Sequence, residues 1–112
     1  MNLDELVNSI PESETELKVS LKQWVEAWKE DDKSTDELGH LIGKWHGNVW
    51  FKDTNISNKF YNDFTRFKEE AIEGIGGMTI NERLYFFSLF EKWDKSNENV
   101  KSAIYRKLKA NA

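Results

Sequence analysis

At three places in this chain a Ser or Thr with Glu three residues later opens an apolar repeat of helical period: Ser13/Glu16, Ser34/Glu37 and Thr79/Glu82. That spacing lets the hydroxyl accept from the third helical amide while the carboxylate reaches back to the capping amide. Pro11 is the single proline, and alternating β-branched runs are few, so helical period dominates. The fold expected is all-α, a bundle of about five helices plus a short N-terminal one. A length of 112 residues supports one buried core rather than two, so residues 1–112 are expected to form a single domain.

The short first helix is expected over about 2–9, ending before Pro11. The helix opened at Ser13 places Leu17, Leu21, Trp24, Val25 and Trp28 on one face and Val19, Glu26 and Glu30 on the other. The next carries Leu38, Leu41, Ile42, Trp45 and Val49, with Gly47 as an expected break. Residues 48–57 fit either a helical continuation or a short extended piece, followed by a turn at Lys52-Asp53-Thr54-Asn55. From Ser57 or Asn58 the repeat Phe60, Phe64, Phe67, Ala71, Ile75 returns, and Gly76-Gly77 supplies its stop. Between residues 80 and 93 the apolar side chains lie almost all round, which marks the central helix of a bundle. A last helix points Val100, Ala103, Ile104 and Leu108 inward and leaves Lys101, Arg106, Lys107 and Lys109 largely outside that stripe.

Charge is unevenly placed. The net charge of −4 divides into eleven acids and four lysines over residues 1–37, and nine acids and twelve basic residues over the remainder. An acidic lobe repels nucleic acid and speeds encounter with basic partners. With no Cys there is no disulfide framework, thiolate nucleophile or Cys-based zinc site. The acidic start, Met1-Asn2-Leu3-Asp4-Glu5, lacks the basic region of a secretory leader, and a cytoplasmic location is expected. No apolar run approaches the roughly 20 residues that span a bilayer, so no membrane role is expected.

Candidate chemistry is sparse. His40 and His46, the two histidines, stand six residues apart, about 240° around a helix, unlike a metal pair spaced at i, i+4. An acid–base nuclease built on them needs a loop to bring the two faces together; two surface or half-buried histidines is the preferred reading. No catalytic residue, metal site or cofactor is expected. Gly39, Gly43 and Gly47 line one helix side, suited to close approach by another helix or by a partner. Trp24, Trp28 and Trp45 are expected in the core, and Trp50, beside an irregular loop, is the one expected to reach solvent. Glu26, Glu30, Asp31, Asp32, Asp36 and Glu37 combine an outer helix face, a turn and the next first turn. With Trp50 they form the expected partner-binding set; a merely solvated acidic face is the plainer alternative.

The stretch Met78-Thr79-Ile80-Asn81-Glu82-Arg83-Leu84-Tyr85-Phe86-Phe87-Ser88-Leu89-Phe90-Glu91-Lys92-Trp93-Asp94 resembles a segment near the C-terminus of small bacterial immunity proteins. These neutralise polymorphic toxins, including those of contact-dependent growth inhibition systems. The shared pattern is a Thr-hydrophobic-Asn-Glu-Arg-Leu opening, an apolar helix and an acidic end. The resemblance implies a small cytosolic protein without catalysis that binds a cognate toxin domain, here a basic nuclease, as a monomer in a 1:1 complex without touching nucleic acid. A phage-encoded inhibitor or nucleic-acid mimic of the anti-CRISPR kind, or a small helical adaptor, shares the same size and acidity.

Overall fold

Backbone amides at helix starts need acceptors, and in this chain the short polar residues at those positions supply them. The computed structural model describes residues 1–109, where seven α-helices form an all-α bundle and no strand occurs. They are α1 (Leu3–Asn8), α2 (Thr15–Glu30), α3 (Thr35–Asn48), α4 (Thr54–Phe67), α5 (Ile80–Phe86), α6 (Phe90–Asp94) and α7 (Glu98–Lys107). Thr79 and Glu82 form the expected reciprocal cap on α5, and Ser34 Oγ accepts from Glu37 N–H on α3. A reciprocal box not anticipated from sequence joins Asn2 and Glu5 at 2.8 Å in both directions, capping α1. The Ser13/Glu16 box does not form. Pro11 leads instead into a 3-10 turn over Glu12–Glu14, and α2 starts at Thr15. Glu14 turns inward, where both carboxylate oxygens accept from Lys52 N–H at 3.0 Å.

The core is aromatic and continuous through every layer. Phe60, Phe64 and Phe67 of α4 are buried, and Ala71, Ile72 and Ile75 continue the face through a π-helical segment, Lys68–Glu73. The wider π turn brings Ile72 inward beside Ala71. α4 begins at Thr54, earlier than expected, because Asp53 Oδ1 accepts from Asn55 N–H at 2.8 Å. The α and π run ends at Gly74, and a 3-10 turn over Ile75–Gly77 carries the chain to the expected Gly76-Gly77 stop. A Cβ at Gly74 would lie 2.5 Å from the Glu70 carbonyl oxygen, so only glycine fits there. α3 packs on this face with Gly39 against Ile72 and Gly43 against Phe64, while Gly47 meets nothing. The glycine line therefore admits side chains, not another helix backbone, and α3 runs through Gly47 to Asn48.

Residues 80–93 do not form one central helix. Ser88 adopts φ 56° between α5 and α6. Ser88 N–H donates to Tyr85 O at 3.1 Å and Leu89 N–H to Leu84 O at 2.9 Å, the paired bonds of a Schellman stop. Leu84 and Leu89, both buried, close it with the apolar contact such stops use. The break lets Phe87 bury fully between Trp28 and Phe67, at centroid distances of 5.9 and 5.7 Å, while Tyr85 and Phe90 face outward. Ser88 Oγ also accepts from Asp4 N–H at 3.0 Å, so the residue that ends α5 helps cap α1. Among the described residues no helix is long and apolar enough to cross a membrane.

Candidate functional site: an acidic corner and an outlying tryptophan

The α2–α3 corner is locked from inside. Trp28, buried on α2, donates from Nε1 to Ser34 O at 2.9 Å, and Lys33 N–H donates to Asp31 Oδ1 at 2.9 Å. Lys107 arrives from α7 and donates to Asp31 Oδ1 at 2.9 Å and to Lys33 O at 2.6 Å, with Nζ 4.2 Å from the Trp28 ring centroid. Two carbonyl-type acceptors and an aromatic face thus surround one ammonium. Burial is the largest influence on Asp31 and acts to raise its pKa. The hydrogen bonds from Lys107 and Lys33 N–H, with the charges of both lysines, outweigh it and hold the carboxyl below its ordinary value. At Lys107 burial is again the largest influence and prevails: with the nearby Lys92 charge, it pushes the ammonium pKa down despite Asp31.

The six expected acids are less uniformly anionic than their sequence implied. Lys29 pairs with Glu26 at 3.1 Å and with Asp4 at 2.9 Å. Lys92 of α6 pairs with Glu30 at 3.0 Å and donates to Lys29 O. Asp31 is the inner strut just described. Asp32, Asp36 and Glu37 remain exposed along the turn and the first turn of α3, where the helix dipole favours Asp36 and Glu37. Beside the corner lies a cavity of about 500 Å³ lined by Val100, Ala103 and Ile104 together with Lys92 and Lys107. The ammonium groups of Lys92 and Lys107 are committed to Glu30, Asp31 and backbone carbonyls, so neither presents a free amine to it.

Trp50 is solvent-facing as expected, at 92% exposure, but the structure does not place it with the acids. It borders a groove of about 360 Å³ with Glu12, Glu16, Leu17 and Lys52, at the start of α2. Glu16 and Glu30 are separated by fourteen residues of helix, roughly 21 Å at about 1.5 Å per residue. The loop carrying Trp50 is anchored on its C-terminal side: Phe51 packs on Trp45 and Phe60, and Lys52 N–H is held by Glu14. Leaving an indole of 150–250 Å² in water forgoes roughly 4–6 kcal/mol of burial at about 25 cal/mol/Å². In the same groove a hydrogen bond from Lys18 foremost, then one from Thr15, holds the Glu12 carboxyl below its usual range.

Two other expectations change. Trp24 is 41% exposed rather than core. Leu21, Val25 and Trp28 centre the buried stripe, and Trp24 and Lys29 flank it on opposite sides at about 65° and about 75°, at about 100° per residue, so helical phase alone does not separate them. Lys29 is the flank that buries, with its ammonium held by Asp4 and Glu26. On α7, Lys107 is buried with Ile104 and Leu108, while Ala103 faces out. The signal was present in its position three residues after Ile104, but its charge argued against it. His40 is exposed, and His46 is half-buried with Nε2 3.1 Å from Ser57 Oγ, stacked 5.6 Å from Phe60. Among the described residues no three His, Cys, Asp or Glu side chains gather as a metal would need.

No family model matches the chain, and neither the curated proteins nor the solved structures searched against it yield a match.

Proposed function

We propose that the protein is an immunity protein that binds and neutralises a cognate toxin domain, a basic nuclease, in the cytoplasm, as one monomer per toxin and without catalysis of its own. The observation that carries this reading is the acidic turn itself. Asp32, Asp36 and Glu37 stand exposed on backbone held by Trp28, Asp31 and Lys107. Charges fixed on a rigid corner steer a basic partner without an ordering cost at docking. Glu26 and Glu30 extend the same face, each already sharing a lysine, and so belong to the rim. The resemblance over Met78–Asp94 and the acidity of residues 1–37 support the reading.

The test is co-expression with the C-terminal domain of the large protein encoded directly upstream, followed by stopped-flow association of the two purified partners. Protection of growth is expected, with association slowed severalfold in an Asp32→Lys, Glu37→Lys variant and its salt dependence flattened. Unchanged association at low and moderate salt would reduce the corner to a solvated face.

A further inference from the structure

We propose that the groove between the start of α2 and Trp50 is a docking site for an arginine side chain of a basic protein partner, the guanidinium lying on the indole while Glu16 accepts its N–H groups. The proposal deepens the reading of the chain as a binder of a basic protein and rests on it, but its evidence is separate from the acidic corner.

Three observations converge. First, Trp50 is the most exposed large apolar side chain described, and among the described residues no other ring or cation lies on its face. Its backbone is held in place rather than loose, because the next two residues are anchored by Phe60 and by both oxygens of Glu14. Second, the groove beside it has an acidic wall. Glu12 is occupied by Lys18 and Thr15, and Glu14 by Lys52 N–H, but Glu16 has no hydrogen-bond or ion-pair partner among the described residues. Third, the groove is lined by the carboxylates of Glu12, Glu14 and Glu16 and the ammonium of Lys52, with the Lys18 ammonium on Glu12, so three acids stand against two cations. That balance favours a cation and disfavours a phosphate.

Arginine fits this combination better than lysine. A guanidinium is planar, so it stacks on an indole and presents edge donors to a carboxylate at the same time, whereas an ammonium is a compact, strongly hydrated point charge. A wholly apolar occupant would leave Glu16 desolvated and unpaired.

The experiment titrates the protein with the blocked peptide acetyl-Gly-Arg-Gly-amide and follows the five indole N–H cross-peaks by NMR, with the lysine and citrulline peptides in parallel. The Trp50 cross-peak is expected to move most. Binding should weaken by about 2–5-fold for the lysine peptide and for Glu16→Gln, as expected for a cation–π contact plus one exposed charge-assisted bond. It should be lost in Trp50→Ala, a change of an exposed residue that leaves the core untouched. A Trp50 cross-peak that stays still, or equal response to citrulline, overturns the proposal. So does a Trp50 shift that follows protein concentration alone, since a second copy would then occupy the groove. Growth protection by the parent with an unmoved Trp50 would sink the groove and leave the immunity reading standing. A responsive Trp50 with no protection would do the reverse.

Discussion

Lys107 and Asp31 form the contact that ties α7 to the corner, with Nζ 2.9 Å from Oδ1 and the lysine side chain 2% exposed against 29% for the carboxylate. The asymmetry of burial predicts an asymmetry of mutation. Asp31→Ala leaves a buried ammonium without its counter-charge and should destabilise the protein by about 2–4 kcal/mol. Lys107→Met leaves a carboxylate that still reaches water and Lys33, and should cost less. Asp32→Ala, an exposed neighbour, should stay within about 0.5 kcal/mol. Urea unfolding of the three variants gives the ranking directly.

The same pair sets a pH dependence. Asp31 has its pKa lowered in the folded state from 3.8, so its contribution is fully present above that value and fades as pH falls through the lower folded value. Asp31→Asn should therefore be less stable than the parent at pH 6, with the gap closing as pH falls below 3.8. Lys107, lowered from 10.5, acts at the other end: the unfolded chain holds that proton more tightly, so the group's contribution rises with pH between its folded value and 10.5. Unfolding midpoints across acid pH check the first arm, and Lys107→Met against parent at alkaline pH checks the second.

Ser88 combines a left-handed backbone with a cap on a different helix, and the two can be separated. Ser88→Ala keeps φ 56° and removes the acceptor for Asp4 N–H, so a loss of about 1 kcal/mol is expected. Ser88→Gly removes the same acceptor but relieves the backbone, and should fall within about 0.5 kcal/mol of the parent. Equal losses in the two variants would show that the backbone carries no strain there.

Phe87, fully buried between Trp28 and Phe67, should cost about 3–5 kcal/mol when replaced by Ala. Gly74→Ala should also destabilise, by about 1–3 kcal/mol, because its Cβ would meet the Glu70 backbone oxygen at 2.5 Å. Gly39→Ala, facing the movable Ile72 Cδ1 at 3.1 Å, should be milder. Thermal unfolding followed by far-UV circular dichroism resolves all three.

What the sequence determined by itself was local. Helical period located the longer helices α2, α3, α4 and α7, and Thr79/Glu82 and Ser34 marked true starts, because capping is settled within four residues. The aromatic ladder Phe60, Phe64, Phe67 was legible as core for the same reason. Tertiary structure decided what depends on distant partners. Glu14 turned inward to Lys52 N–H, thirty-eight residues away, where the Ser13/Glu16 box had been expected, and Ser88 broke an apolar helix whose side chains could not all face inward on a straight axis. Lys107 entered the core because Asp31, Lys33 and Trp28 together satisfy an ammonium that no single neighbour could. The acids of residues 26–37 were legible as a run along α2, the turn and the start of α3, but their effective charge was not. Lys29 is local to Glu26, but Lys92 and Lys107 lie more than sixty residues beyond Glu30 and Asp31, and only folding brings them to 3.0 and 2.9 Å.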